Sequence, residues 1–199
     1  MKRRGFLGAL IALLPAVVAL LATQEVGPSL PGGFALVSEP SPRALGWEVE
    51  ADPRAGDAAV AETANLLNLA PDQPGKGVVM VVWDLDSVGV TDSRQARVAG
   101  IVQVLYHYAS AREAWRVCEA LPHRLVEWLQ KNAEEVRLLP LSIARGRGHL
   151  ASVRGPSGVH SLWLAGCRGS AVTVLAIVSL NPQLPSELMP HLQPIVLGP

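Results

Sequence analysis

A chain of 199 residues with 49% apolar but only 5% aromatic residues can form one domain of ordinary size, whose core is mainly Val, Leu and Ala. The formal net charge is zero, yet residues 23–92 hold three bases and eleven acids, and residues 93–199 hold eleven bases and six acids. The basic excess of the second half is spread thinly and has no aromatic stacking platform beside it, which argues against binding of nucleic acid.

The N-terminus has the pattern of an export segment. Lys2, Arg3 and Arg4 precede an apolar run at 6–22, so residues 1–22 are predicted to be a signal peptide or an uncleaved membrane anchor. Residues 3–7 (RRGFL) resemble the R-R-x-F-L core of bacterial twin-arginine signals, and this resemblance implies export of a folded protein. The expected location is the periplasm, the extracellular space or the outer face of the cytoplasmic membrane.

The next segment is rich in Pro and Gly. Residues 23–56 are predicted to be a tether with short extended pieces at 33–38 and 47–50. Asp57 is a plausible N-cap for a helix that continues to about Ala70. A single domain is therefore expected over 57–199.

Two predicted strands follow this helix. Residues 78–86 place apolar side chains at odd positions and end in Asp84 and Asp86, so the strand should leave the core there. In the second strand, over 98–108, one face is apolar while Gln103 and His107 lie on the other face, which indicates a strand with one side in a core. The apolar face consists of Val98, Val102, Val104, Tyr106 and Tyr108.

A long helix is predicted directly after this strand. Ser110 and Glu113 have the spacing of a capping box, and apolar residues recur behind them at helical spacing as far as Leu125. The helix is expected to continue to about Asn132 and to bend at Pro122, which lacks a backbone amide. Its apolar stripe consists of Ala111, Ala114, Trp115, Cys118, Leu121 and Leu125.

The last third predicts a meander of strands at 149–154, 159–165 and 171–180, with another short strand at 139–144. A final helix from Ser186 should be cut short by Pro190 and Pro194. The fold class expected is α+β: a mostly antiparallel sheet, a long helix packed on one face, a C-terminal β-meander and a short terminal helix.

A strand that ends in Asp-x-Asp suggests one enzymatic alternative. Residues 81–93 (VVWDLDSVGVTDS) resemble the first motif of haloacid-dehalogenase-like phosphatases. The resemblance implies a parallel sheet, Asp84 as phosphoryl-accepting nucleophile and Asp86 as general acid beside Mg²⁺. The chain departs from that family because no Asp follows Asp92, although the family requires later acidic residues to hold the metal.

Cys118 lies in the apolar stripe of the long helix, and Cys167 lies in the turn expected to close the meander. In an exported protein this even count is consistent with a disulfide that clamps helix to sheet, and two unpaired buried thiols are the alternative. The five histidines form no metal-ligand pattern, so neither a metal nor another cofactor is expected.

Arg145, Arg147 and Arg168 are expected at one end of the sheet. Three guanidinium groups together could bind a carboxylate, a phosphate or a lipid head group. These observations predict an exported, membrane-tethered bacterial domain that binds or senses without catalysis, with an envelope protein or a small anionic ligand as partner. The alternatives are a Mg-dependent phosphohydrolase that uses Asp84 and Asp86, and a purely structural envelope protein.

Overall fold

The computed structural model describes residues 33–37, 40–71, 73–84, 89–92, 94–143 and 145–198. The expected export segment and Asp86 lie outside these ranges. Within them, one antiparallel sheet has seven strands in the order β1-β2-β3-β7-β6-β5-β4, and four α-helices pack against it. The strands are β1 Glu48–Ala51, β2 Gln73–Trp83, β3 Val98–His107, β4 Glu135–Leu141, β5 Arg147–Arg154, β6 His160–Arg168 and β7 Ala171–Ser179; the helices are α1 Pro40–Ala44, α2 Pro53–Leu66, α3 Ala111–Asn132 and α4 Leu184–Leu197.

This architecture confirms the predicted fold class. The meander β4 to β7, the long helix α3 and the C-terminal helix α4 are all present. Strand β2 is antiparallel to both of its neighbours, whereas the phosphatase resemblance implied a parallel sheet. None of the helices in the described ranges is both long and apolar enough to cross a bilayer.

Both faces of the sheet are covered. Helices α2 and α3 lie on one face, here called the helix-pair face, and α4 lies on the other, here called the terminal face. The expectation that β3 has only one buried side is therefore wrong, because Ile101 and Leu105 on its second face are buried beneath α4. Strands β3 and β7 are central in the sheet, and a strand covered on both faces loses the polar alternation that a half-exposed strand shows.

Part of the predicted tether belongs to the folded core. Phe34 and Val37 are buried on the terminal face, and β1 pairs with β2 at the sheet edge. Gln103, which is fully buried, holds the first of these segments: its Oε1 accepts from the Val37 amide at 2.6 Å and its Nε2 donates to the Ala35 carbonyl at 2.8 Å. A polar side chain on β3 thus anchors residues 33–37 instead of facing solvent.

Helix α2 begins earlier than predicted. Its N-cap is Asp52, whose carboxylate accepts from the Arg54 amide, and Pro53 occupies the first helical position. Asp followed by Pro is a strong start signal, because the acid caps a free amide and proline has no amide to satisfy at that position. The prediction of Asp57 as N-cap overlooked this pair.

Helix α3 begins at the predicted residue. The Glu113 amide donates to Ser110 Oγ at 3.2 Å. The Glu113 carboxylate accepts from the same hydroxyl, which differs from the expected return bond to the Ser110 amide. Along the helix Ala114, Cys118, Leu121, Leu125 and Leu129 are buried against the sheet.

Two predictions about the C-terminal third require correction. Helix α4 continues through Pro190 and Pro194 to Leu197, since its buried leucines pack on the terminal face and this burial outweighs the two missing amide hydrogen bonds. The β6–β7 turn is at Gly169 and Ser170, so Cys167 and Arg168 are the last residues of β6 rather than turn residues. Because adjacent strand residues point to opposite faces, the side chains of Cys167 and Arg168 lie on different sides of the sheet.

Candidate functional site

An open groove lies on the helix-pair face between α2 and α3. Helix α2 packs over β2 and β3, and α3 packs over β6, β7, β5 and β4, which leaves the middle of the sheet as a floor between them. The groove is partly open to solvent. Its walls and floor are formed by Ala55, Ala58, Ala59, Glu62, Thr63, Leu66, Leu67, Val79, Met80, Val81, Gly100, Val102, Val104, Trp128, Trp163, Val174, Ala176 and Val178.

Small side chains create this space. Gly100 and Ala176 lie on the floor, and Ala55, Ala58 and Ala59 form the wall on α2. Larger aliphatic residues at these positions would fill the volume between helix and sheet, as they do in an ordinary core. The floor is consequently an apolar surface that is partly exposed at Gly100, Val102 and Val178 and buried at Ala176.

Close backbone packing fixes the position of α2. Gly56 in the helix lies against the backbone of β2, and a Cβ atom at this position would come within 2.5 Å of the Gly77 carbonyl oxygen. Only glycine permits this approach. The contact between Gly56 and β2 therefore leaves α2, and the groove wall that it forms, little freedom to move.

A disulfide fixes α3. The structure joins Cys118 on α3 to Cys167 at the end of β6, with a Cα–Cα distance of 5.9 Å. This is the pairing that the sequence suggested, although Cys167 contributes from a strand rather than from a turn. The bond attaches the long helix directly to the sheet on the far side of the groove from α2.

Two tryptophans form an aromatic wall opposite α2. The rings of Trp128 on α3 and Trp163 on β6 meet edge to face, with centroids 5.4 Å apart. Trp163 Nε1 donates to Ser161 Oγ at 2.9 Å, so its polar atom already has a partner. The indole of Trp163 therefore offers mainly apolar surface to the groove.

Glu62 is the charged residue among those that line the groove, and it lies on α2 next to Thr63. Partial burial removes water from its carboxylate and raises the pKa of that group. Beneath α2, Tyr106 donates to the Val60 carbonyl at 2.8 Å, and burial raises the pKa of the phenol. The groove thus combines an apolar surface with one carboxylate.

The three arginines expected to form an anion site do not converge. Arg147 is paired with Cys167 across β5 and β6, so it lies on the helix-pair face, where it stacks 4.9 Å from the Trp115 centroid and contacts Glu119 at 3.3 Å. Arg168 is one residue further along β6 and lies on the terminal face. Arg145 is exposed in the β4–β5 connection. All three are at the same end of the sheet, but the sheet separates Arg147 from Arg168.

Arg168 is partly buried on the terminal face. Its guanidinium lies 5.2 Å from the Phe34 centroid, and its Nε and Nη2 atoms are buried with no hydrogen-bond partner among the residues that the structure describes. The phenyl ring of Phe34 interacts with the cation through its π-face, but it provides no hydrogen-bond acceptor in the plane of the guanidinium group. The buried Nε and Nη2 atoms are not accessible to a ligand from solvent in the observed conformation.

The acidic strand end is occupied by an ion pair. Asp84 follows β2 directly and lies 3.4 Å from Arg97, which also contacts Glu187 on α4 at 2.9 Å. Its predicted companion Asp86 is outside the described residues. In the part of the chain that the structure covers, no cluster of three or more His, Cys, Asp or Glu residues has the geometry to hold a metal ion.

The sequence interpretation missed the groove. One signal was present: Glu62 recurs with Ala55, Ala59 and Leu66 on one stripe of α2, and an acid on an apolar stripe is unusual. The floor residues Gly100 and Ala176 gave no such signal, because small residues occur in strands for many reasons. Gly100 and Ala176 are far apart in sequence, and the pairing of β3 with β7 brings them close together.

Comparisons with known proteins give little support for an assignment. No family model matches the chain, and no curated protein matches it. Among solved structures, the extracellular domain of PknH from Mycobacterium tuberculosis aligns with a TM-score of 0.33 and 6% identity, and the alignment covers 70% of this chain and 93% of that one. A likeness this weak carries no argument about fold or function.

Proposed function

We propose that this chain is an exported, non-catalytic domain that binds a small apolar ligand in the groove between α2 and α3. The groove is the observation on which this proposal depends. Uncovered apolar surface costs free energy in water, and a concave apolar surface with few polar groups is typical of small-molecule sites. A protein with a purely structural role has no need of it, so the groove favours a binding function over the structural alternative.

Export is supported by the N-terminal sequence and by the disulfide. Residues 1–22 have a basic start and an apolar run, and a disulfide between Cys118 and Cys167 persists only in an oxidising compartment in most organisms. If the apolar run is retained, the groove domain is tethered to the membrane. Because residues 33–37 already belong to the core, such a tether would keep the domain close to the bilayer surface.

The chemistry of the groove favours binding over catalysis. Among the lining residues, a single carboxylate and the Thr63 hydroxyl are the polar side chains besides the two indoles. General acid–base or nucleophilic catalysis uses a nucleophile with an adjacent base, or two groups with separated pKa values. The groove presents neither pair.

The proposal is tested with the neutral probe N-phenyl-1-naphthylamine, which fluoresces in apolar surroundings. The purified full-length chain is expected to bind it, and Ala58→Trp is expected to abolish binding because the indole fills the groove from the exposed side of α2. Ala61→Trp is the matched control, since Ala61 is exposed on the same helix and does not line the groove. Equal binding by both variants, or no binding by the unaltered chain, would refute the proposal.

A further inference from the structure

Among the residues that the structure describes, the negative charge in the groove has no counter-charge. Glu62 is its charged lining residue, and no cation lies within ion-pair distance of its carboxylate in the described ranges. Arg147 contacts Glu119 on α3, Arg168 lies on the terminal face, and Arg124 donates to the Leu67 and Asn68 carbonyls at the end of α2. The electrostatic character of the groove is therefore that of one partly buried carboxylate.

Glu62 lies on the stripe of α2 that faces the groove. It is one helical turn after Ala58 and Ala59 and one turn before Leu66, all of which face the groove. The wall opposite holds the two tryptophans, whose surface suits the apolar part of a ligand. A ligand that crosses the floor from Trp163 towards α2 would place its end group at Glu62.

The charge of Glu62 determines which end group a ligand in the groove should carry. A carboxylate in apolar surroundings gains most from a donor that is itself charged, because charge-assisted hydrogen bonds are about twice as strong as neutral ones. An anionic end group would be repelled and would also lose its water without compensation. The groove thus discriminates against the anionic ligands that the arginine pattern had suggested.

We infer that the groove binds a cationic amphiphile, whose protonated amine donates to Glu62 while its hydrophobic part covers the floor formed by β2, β3 and β7. This inference rests on the proposed function and assigns a ligand class to the same site. Thr63, adjacent to Glu62, also lines the groove, and its hydroxyl is hydrogen-bonded to the Tyr106 phenol.

The inference is tested by displacement of N-phenyl-1-naphthylamine from the full-length chain with dodecylamine, dodecanol and dodecanoate, each below its micelle concentration. These probes share one tail and differ only in the end group. Dodecylamine is expected to bind about tenfold more tightly than dodecanol, and dodecanoate more weakly than either. Glu62→Gln should reduce dodecylamine affinity by about tenfold and remove the preference.

Two further variants make the outcome decisive. Glu62→Lys should reverse the order so that dodecanoate binds most tightly, and Glu127→Gln should change nothing because Glu127 is exposed on α3 and pairs with Lys131 outside the groove. Equal affinity for the three probes, with no effect of either Glu62 variant, would overturn the inference while groove binding itself stands. Failure of the neutral probe to bind at all would instead overturn the proposed function.

Discussion

The Val37 amide donates a 2.6 Å hydrogen bond to the Gln103 side chain, which connects the first described segment to the middle of the sheet. Gln103 is fully buried, and its Nε2 also reaches Ala35 and Thr173. A glutamine side chain can accept from a backbone amide and donate to a backbone carbonyl, as a neighbouring strand does. Residues 33–37 are therefore part of the core, where Gln103 holds them together with the Val196 carbonyl, which accepts from the Ala35 amide.

Gln103→Leu should release this segment. The change leaves the Val37 amide and the Ala35 carbonyl without partners inside the protein, so we expect the free energy of unfolding to fall by about 2–3 kcal/mol. Chemical denaturation measures the loss, and limited proteolysis should show faster cleavage near residues 33–37. Gln193→Leu is a control at a position on α4 that is not fully buried. Equal proteolysis rates for Gln103→Leu and the unaltered chain would contradict the anchoring role.

Reduction of the Cys118–Cys167 bond should lower stability. The cysteines are separated by 49 positions, for which loop-closure entropy predicts a loss of about 4 kcal/mol. Because α3 carries one wall of the groove, affinity for N-phenyl-1-naphthylamine should fall as well. The double variant Cys118→Ala with Cys167→Ala, compared with the oxidised chain by thermal denaturation, measures the first effect. Insensitivity of the oxidised chain to reductant would show that the bond contributes little.

Replacement of Arg168 should not destabilise the protein. Its buried Nε and Nη2 have no partner within the described part of the chain, so Arg168→Met removes an uncompensated desolvation cost while keeping most of the side-chain volume. The lost stacking on Phe34 is worth about 1 kcal/mol, and we expect a net change between zero and about 1 kcal/mol in favour of the variant. A loss above about 2 kcal/mol in urea unfolding would indicate that an anion neutralises Arg168 in the native protein.

Glu62 should give the groove a measurable pH signature. Its pKa is raised above 4.5 by desolvation, so the unfolded state releases this proton at lower pH than the folded state does. The stability of the unaltered chain relative to Glu62→Gln should therefore be greatest below about pH 4 and should fall as pH rises through the raised pKa. Thermal unfolding of both proteins at about pH 4 and about pH 7 tests this: the variant should be relatively more stable at the higher pH. The opposite trend would mean that a cation accompanies Glu62.

Local signals in the sequence predicted the central elements. The alternation before Ser110, the cap at that residue and the helical stripe behind it each depend on neighbouring residues, and β3 and α3 formed accordingly. Where tertiary burial decides, local signals failed: α4 crosses two prolines because its leucines are buried, and Gln103 is inside because residues 33–37 cover it.

The candidate site was less accessible from sequence. A shift of the β6–β7 turn by a residue or two moves Arg168 into the strand and places it on the opposite face from Arg147, because strand side chains alternate. The groove depends on the relative position of two helices, which Gly56 and the disulfide determine through contacts that are distant in sequence. Periodicity identifies which residues are apolar, but it does not show which apolar residues remain uncovered.

The most direct measurement of the central claim is a backbone-amide NMR titration of the protein with dodecylamine. The account predicts shifts at α2 around Glu62 and at the floor residues Gly100 and Ala176, together with the indole signals of Trp128 and Trp163. Signals from the terminal face around Phe34 and Arg168 should not move. Shifts confined to the terminal face, or an absence of shifts at saturating ligand, would contradict the assignment of the groove as the binding site.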